Sequence, residues 1–291
     1  MLVHAHPDDE SSATAVTMAG SVADGVDVTL VTCTAGEDGE IVAPDLEHLA
    51  ADRDDALGPH RLGELTVAMA ALGVTDFLRL GGDFRFRDSG MAYAEDGRVI
   101  PAPHPRPNAF ALADLKDAAD ELVPVIRDRR PQIVISDDPR GSYGHPDHVM
   151  AHRVATYGAL LAGTASYRPD LGEPWSVRRM LWTARSESAT REFVRRLRRA
   201  GVDAWFGDYD PDGAAPPPMT CPDEAIAVRV DAPEFADRKM AALAAHRSQI
   251  RSDSFFLTPE VAESGGTEEY RLAAGVPYPA GTTNDLFAGL M

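Results

Sequence analysis

The chain has 291 residues, enough to bury a full core within one α/β domain. Its 46 acidic against 28 basic residues leave a formal charge of -18, which repels phosphate backbones and anionic membranes; neither nucleic acid nor membrane is an expected partner, and no protein partner is implied. No run of about 18 apolar residues occurs, no basic-then-apolar leader opens the chain, and Cys33 and Cys221 stand apart without a CxxC, so a cytoplasmic protein is expected.

Residues 1–5 form a short apolar strand. Residues 11–23 carry helix formers and a small-residue face, closed by Gly25. The β-branched run 26–33 (VDVTLVTC) suits a buried strand and completes a βαβ unit with parallel strands. A polar, Gly-rich loop follows over 34–44, then a long helical stretch over 46–72 with a possible break at Gly58-Pro59, then a strand over 75–80. The four prolines between 101 and 107 make 94–108 a loop. An amphipathic helix over 112–129, a strand over 132–136 (QIVIS) and a helix over 146–161 continue the alternation. Residues 207–222 and the Gly-rich tail 264–283 read as loops. The fold class is therefore α/β: a Rossmann-like, mostly parallel sheet flanked by helices, with a smaller irregular C-terminal part. Residues 1–165 are expected to form the catalytic core, and 166–291 to complete the same domain and line the substrate site.

The first motif is His4-Ala5-His6-Pro7-Asp8-Asp9-Glu10, placed where the first strand ends and the first helix begins. In open α/β sheets that carboxyl edge is where ligands bind. His6 and Asp9, three residues apart across such a turn, can face one cation; Asp8 between them points towards a bound water. A plainer alternative is helix capping by Asp8, Asp9 or Ser11, with Glu10 favouring the dipole, although a histidine adds nothing to a cap.

The second motif, Tyr143-Gly144-His145-Pro146-Asp147-His148, also follows a strand at a helix start. Parallel strands ending side by side would bring both motifs to one edge. There His148 supplies a third ligand and leaves a position open, as catalytic zinc requires. His152, one helical turn beyond, reads as a helix histidine, and His4 as packed in its strand. His48, His60, His104 and His246 show no partner pattern and read as surface or structural.

HAHPDDE near the start with YGHPDH near the middle resembles the LmbE/PIG-L zinc N-deacetylases. Further segments (TCTAGEDGEI, HRLGEL, RFRDSGM, MAALAAHRSQI) are similar to the branch of that family that acts in mycothiol biosynthesis. The resemblance implies one zinc per chain, with Fe2+ able to fill the same site, held by His6, Asp9 and His148. It implies Asp8 as general base towards the attacking water and His145 as an imidazolium beside the oxyanion. Asp147 would orient His145 and raise its pKa, and Tyr143 would donate its hydroxyl to the oxyanion. Glu40, Arg61 and Asp88 would hold sugar and inositol hydroxyls. The implied substrate is a small N-acetyl amino sugar, a GlcNAc-inositol pseudodisaccharide; the near alternatives are a mycothiol S-conjugate, cleaved as an amide, or another N-acetyl sugar.

Two unrelated functions are weaker. Metal-dependent phosphoester cleavage usually wants a second metal and more carboxylates, and Asp137-Asp138 is the only spare cluster. A nucleotide binder would need a GxGxxG after the first strand, and none is present.

Overall fold

A computed structural model describes residues 1–82, 84–202, 207–281 and 284–290. In chain order the strands and longer helices are β1 (Leu2–His4), α1 (Asp9–Ala13), α2 (Ala15–Ala23), β2 (Thr29–Thr32), α3 (Leu57–Leu72), β3 (Asp76–Arg79), β4 (Met91–Tyr93), β5 (Val99–Pro101), α4 (Leu115–Arg129), β6 (Ile133–Ser136), α5 (Pro146–Ala162), β7 (Arg179–Ala184), α6 (Glu187–Arg199), β8 (Val228–Asp231), α7 (Ala236–Ala245), α8 (Pro259–Ser264) and β9 (Thr267–Gly275).

Seven strands form one sheet in the order β3-β2-β1-β6-β7-β9-β8. The first five run parallel, while β9 pairs antiparallel with both β7 and β8. Strands β1, β2 and β6 are buried along their whole length, as expected where helices cover both faces of a parallel sheet. One face packs on α4 and α5 through Leu122, Ile126, Met150 and Val154; the other packs on α2, α3 and α7 through Met18, Met69, Leu72 and Ala242.

The chain leaves β1 for β2 and β3 on one side, then returns to lay β6 and β7 on the other. The strand order therefore reverses between β1 and β6, where Leu2 pairs with Ile135 and Val3 with Ser136. A crevice opens beyond the carboxyl ends of two strands that diverge in this way, and both sequence motifs lie there.

Several local expectations differ from the structure. The helix read over 11–23 is two helices broken at Thr14 (φ -141°), whose hydroxyl bonds the Glu10 carbonyl and the His4 ring and so competes with the helical ladder. The stretch 46–72 is a short 3-10 turn (Pro44–Leu49) and then α3, with Gly58 and Pro59 in the first helical turn rather than at a break; proline there removes an N–H that has no partner in any case. The loop over 94–108 contains β5, paired with β4 in a hairpin.

The tail read as a loop over 264–283 contains β9, the longest strand of the sheet; residues 282–283 lie outside the described residues. Its polar residues are buried because distant partners satisfy them. Glu268 accepts the N–H groups of Val16 (3.2 Å) and Thr17 (2.9 Å) and pairs with Lys239 Nζ (3.0 Å). Glu269 accepts Ser186 N–H (2.6 Å), its hydroxyl (2.9 Å) and Arg229 Nε (2.9 Å).

Candidate metal centre and active site

Beyond β1 the chain turns sharply. Asp8 adopts φ 112°, ψ -28°, a left-handed conformation costing a non-glycine residue about 1–3 kcal/mol, which persists only where surrounding contacts impose it. Those contacts are present. Asp8 N–H donates to Glu10 Oε2 (2.8 Å), and His6 N–H donates to Asp9 Oδ2 (2.8 Å). Arg61, buried on α3, donates to the Pro7 and Gly36 carbonyls and to Asp8 Oδ2 (3.0 Å). Asp8 holds the cap position of α1, yet its side chain makes no capping bond. Capping therefore does not explain this carboxylate.

Beyond β6 the loop turns through Gly141 (φ 67°), where any Cβ would meet Val149 N at 2.7 Å. His145 caps α5, its Nδ1 accepting Asp147 N–H at 3.1 Å, and Pro146 occupies the first helical turn. His148, one turn in, is buried under the crevice.

The two motifs meet here. Asp9 Oδ1 lies 3.3 Å from His148 Nε2 and Asp9 Oδ2 lies 3.7 Å from His6 Nδ1. Ligand atoms about 2.0–2.2 Å from a tetrahedral cation are themselves about 3.3–3.6 Å apart, so each of these two spacings suits a shared ion, although Asp9 is not in the groups of donors that cluster within 4.8 Å. Both ring nitrogens of His148 are buried and, among the described residues, neither makes a well-aligned hydrogen bond, although carboxylate oxygens of Asp9 and Asp137 each stand 3.3 Å away. That is costly for a structural histidine and expected of a ligand. His6, His145 and His148 also offer ring nitrogens that lie within 4.8 Å of one another, as do His6, Asp88, His145 and Asp147. The donor set of imidazoles and carboxylates thus fits a divalent metal cation.

Behind these donors lies a layer of carboxylates that orient them. Asp137 Oδ2 stands 3.3 Å from His148 Nδ1, the arrangement that fixes tautomer and ring angle in metal-binding histidines. The Asp137-Asp138 pair therefore does not stand apart as a second cluster. Asp147 Oδ2 lies 3.2 Å from His6 Nε2 and accepts Ser89 N–H at 2.8 Å, and its other oxygen accepts the Ser89 hydroxyl. Asp147 was expected to orient His145 with its carboxylate and raise its pKa; instead that carboxylate faces His6, and only its backbone N–H reaches His145. Burial, with His6 and His148 close by, pushes the His145 pKa down to about 2, which favours the neutral ring over the expected imidazolium. With Nδ1 accepting, the proton of the neutral ring lies on Nε2.

The expected substrate contacts divide. Glu40 is exposed on the 34–44 loop. Arg61 is committed to Asp8 and two carbonyls, and Asp88 is buried with Oδ1 accepting Gly90 N–H (2.8 Å), 3.6 Å from His6 Nε2. Tyr143 lies edge-on to His148, ring centres 5.2 Å apart, and burial followed by Asp9 and Asp8 raises its pKa, so the phenol stays protonated. His152 Nδ1 lies 3.0 Å from the Asp137 carbonyl and is not among the clustered donors. Sequence reasoning missed Asp137, Ser89, and Glu37, whose buried carboxylate accepts Asp88 N–H at 3.0 Å. His246, read as surface or structural, is buried against Glu10 at 2.8 Å.

Residues 1–158 match the family described as PIG-L, GlcNAc-PI de-N-acetylase. The chain belongs to this family. It is 51% identical to a 1D-myo-inositol 2-acetamido-2-deoxy-alpha-D-glucopyranoside deacetylase of Kribbella flavida, over 100% of this chain and 97% of that one. It is 52% identical to a protein of the same description from a Nocardioides species, over 100% and 98%. Among solved structures, the N,N'-diacetylchitobiose deacetylase of Pyrococcus horikoshii matches with a TM-score of 0.60 at 17% identity, over 93% of this chain and 82% of that one, a likeness of fold. No helix among the described residues is long and apolar enough to cross a membrane.

Proposed function

We propose that this chain hydrolyses the N-acetyl group of a GlcNAc-inositol pseudodisaccharide, giving GlcN-inositol and acetate, as a metal-dependent step of mycothiol biosynthesis in the cytoplasm. The observation that carries the substrate is its match, over its whole length, to deacetylases of that description.

His6, Asp9 and His148 would hold zinc, and the same donors suit ferrous iron. When bound, such a cation polarises the amide carbonyl and lowers the pKa of a water at the site. The remaining chemistry belongs to the chain. Asp8 accepts a proton from the attacking water. Its pKa is pushed up to about 6 by burial, against Arg61 and with the help of Asp9, so it is ionised yet basic near neutral pH. As the C–N bond breaks, the proton held on Asp8 passes to the amine nitrogen. Tyr143 Oη–H and His145 Nε2–H are the neutral donors available to the developing oxyanion. Glu40, exposed on its loop, is available to sugar hydroxyls, while Arg61 and Asp88 act through Asp8 and His6.

The test is amine release from GlcNAc-inositol, plain GlcNAc and a mycothiol S-conjugate, each with and without chelator. Chelator-sensitive cleavage with preference for GlcNAc-inositol is expected. Preference for the conjugate, or cleavage untouched by chelator, contradicts the proposal.

A further inference from the structure

His246 follows α7, far from β1 in sequence, yet lies within electrostatic reach of Asp8 and Arg61. It is fully buried, with Nε2 2.8 Å from Glu10 Oε1. Glu10, also fully buried, turns its second oxygen to Asp8 N–H (2.8 Å) and accepts the Ser11 hydroxyl at 2.6 Å. A continuous chain thus runs from the His246 ring through the Glu10 carboxylate to the backbone of the strained residue that carries the base. His246 Nδ1 is buried and has no hydrogen-bond partner, so the ring's contribution to this chain is made through Nε2 alone.

The residues after His246 tie down the other supports of Asp8. Ser248 donates its N–H (2.7 Å) and its hydroxyl (2.6 Å) to Glu64, on the same helix as Arg61. The Ser248 carbonyl accepts Val42 N–H (2.9 Å) from the Gly-rich loop. One short segment therefore grips the α1 turn, α3 and that loop together.

We propose that His246 is a positioning residue for the deacetylation, holding Asp8 in its left-handed conformation through Glu10. The proposal rests on the reading of Asp8 as the base. A left-handed aspartate relaxes unless its N–H is fixed, and the carboxylate that fixes it is buried, with Oε1 shared between His246 Nε2 and the Ser11 hydroxyl. Without the His246 donor only the neighbouring hydroxyl remains on Oε1, the hold of Glu10 on Asp8 N–H loosens, and the Asp8 carboxylate leaves the line of attack.

Three variants test this with the metal-loaded protein. Gln can present an N–H at the place of the ring Nε2, Asn only near Nδ1, and Leu presents none. Turnover in His246→Leu is expected to fall about 10- to 100-fold, with KM within about twofold of the parent and metal content unchanged. His246→Gln is expected to stay within about threefold of the parent, and His246→Asn to fall with Leu. The Gln–Asn contrast holds the test open even if the Leu variant fails to fold. Wild-type turnover in His246→Leu, equal turnover in the Gln and Asn variants, or a loss that follows metal content would each overturn the proposal. Asp8→Asn is assayed in parallel: if it stays active, the base assignment fails; if it is inactive while His246→Leu is unimpaired, only the positioning role fails.

Discussion

Asp8 is the residue on which opposing effects converge. Burial raises its pKa to about 6, Arg61 pulls it back, and Asp9 adds to the rise. A base works only when ionised, so kcat/KM is expected to fall as pH drops through about 6 or somewhat below, because a bound cation draws the carboxylate lower still. Removing the guanidinium removes the lowering influence, so in Arg61→Met the acid limb of the kcat/KM profile should move to higher pH. A limb that stays in place or moves down would mean that Arg61 does not act on this carboxylate. At this scale, what was legible in the sequence was whatever a motif carries within a few residues: His6, Asp8 and Asp9 together, and His145 with His148. Asp137, Glu37 and His246 were not legible, because each gains its meaning from a partner that only the folded chain brings near. Asp137 looked like a spare acid until His148 proved to stand against it.

At the scale of elements, the site is made by two strand ends and by the loops that seat Arg61. Reading β1 and β6 as parallel neighbours was possible because short, wholly apolar runs alternate with helices, and their adjacency brought the two motifs to one edge. The direction of the Asp8 turn was not legible. It depends on Gly36, at φ 66°, where a Cβ would stand 2.1 Å from Arg61 Nη1. Gly36→Ala is therefore expected to destabilise the protein by about 1 kcal/mol or more through backbone strain. Its displacement of Arg61 should lower kcat with metal content unchanged. Thermal melting and single-turnover rates check this; a Gly36→Ala variant with parental kcat would show that the seat of Arg61 tolerates displacement.

Across the whole molecule, the C-terminal tail belongs to the sheet that carries the site. Glycines on both sides of β9 hid it from local reading, and the partners of its glutamates lie far off in sequence, on α2, α7, β8 and the turn after β7. Glu268→Ala strips two N–H groups at the start of α2 of their acceptor and leaves Lys239 buried without its partner. A loss of about 3–5 kcal/mol is expected for breaking such a buried pair from one side. Chemical denaturation measures it directly, and a loss below about 1 kcal/mol would place the pair in the range of solvent-screened contacts.

One sheet edge divides two tasks between adjacent carboxylates, the metal on Asp9 and the proton on Asp8. Metal content and amine release measured together on Asp8→Asn test that division most directly. The metal stoichiometry of the parent with turnover lowered by about 10²–10⁴-fold is the predicted result. Turnover close to the parent's, or loss of the metal along with the activity, would contradict it.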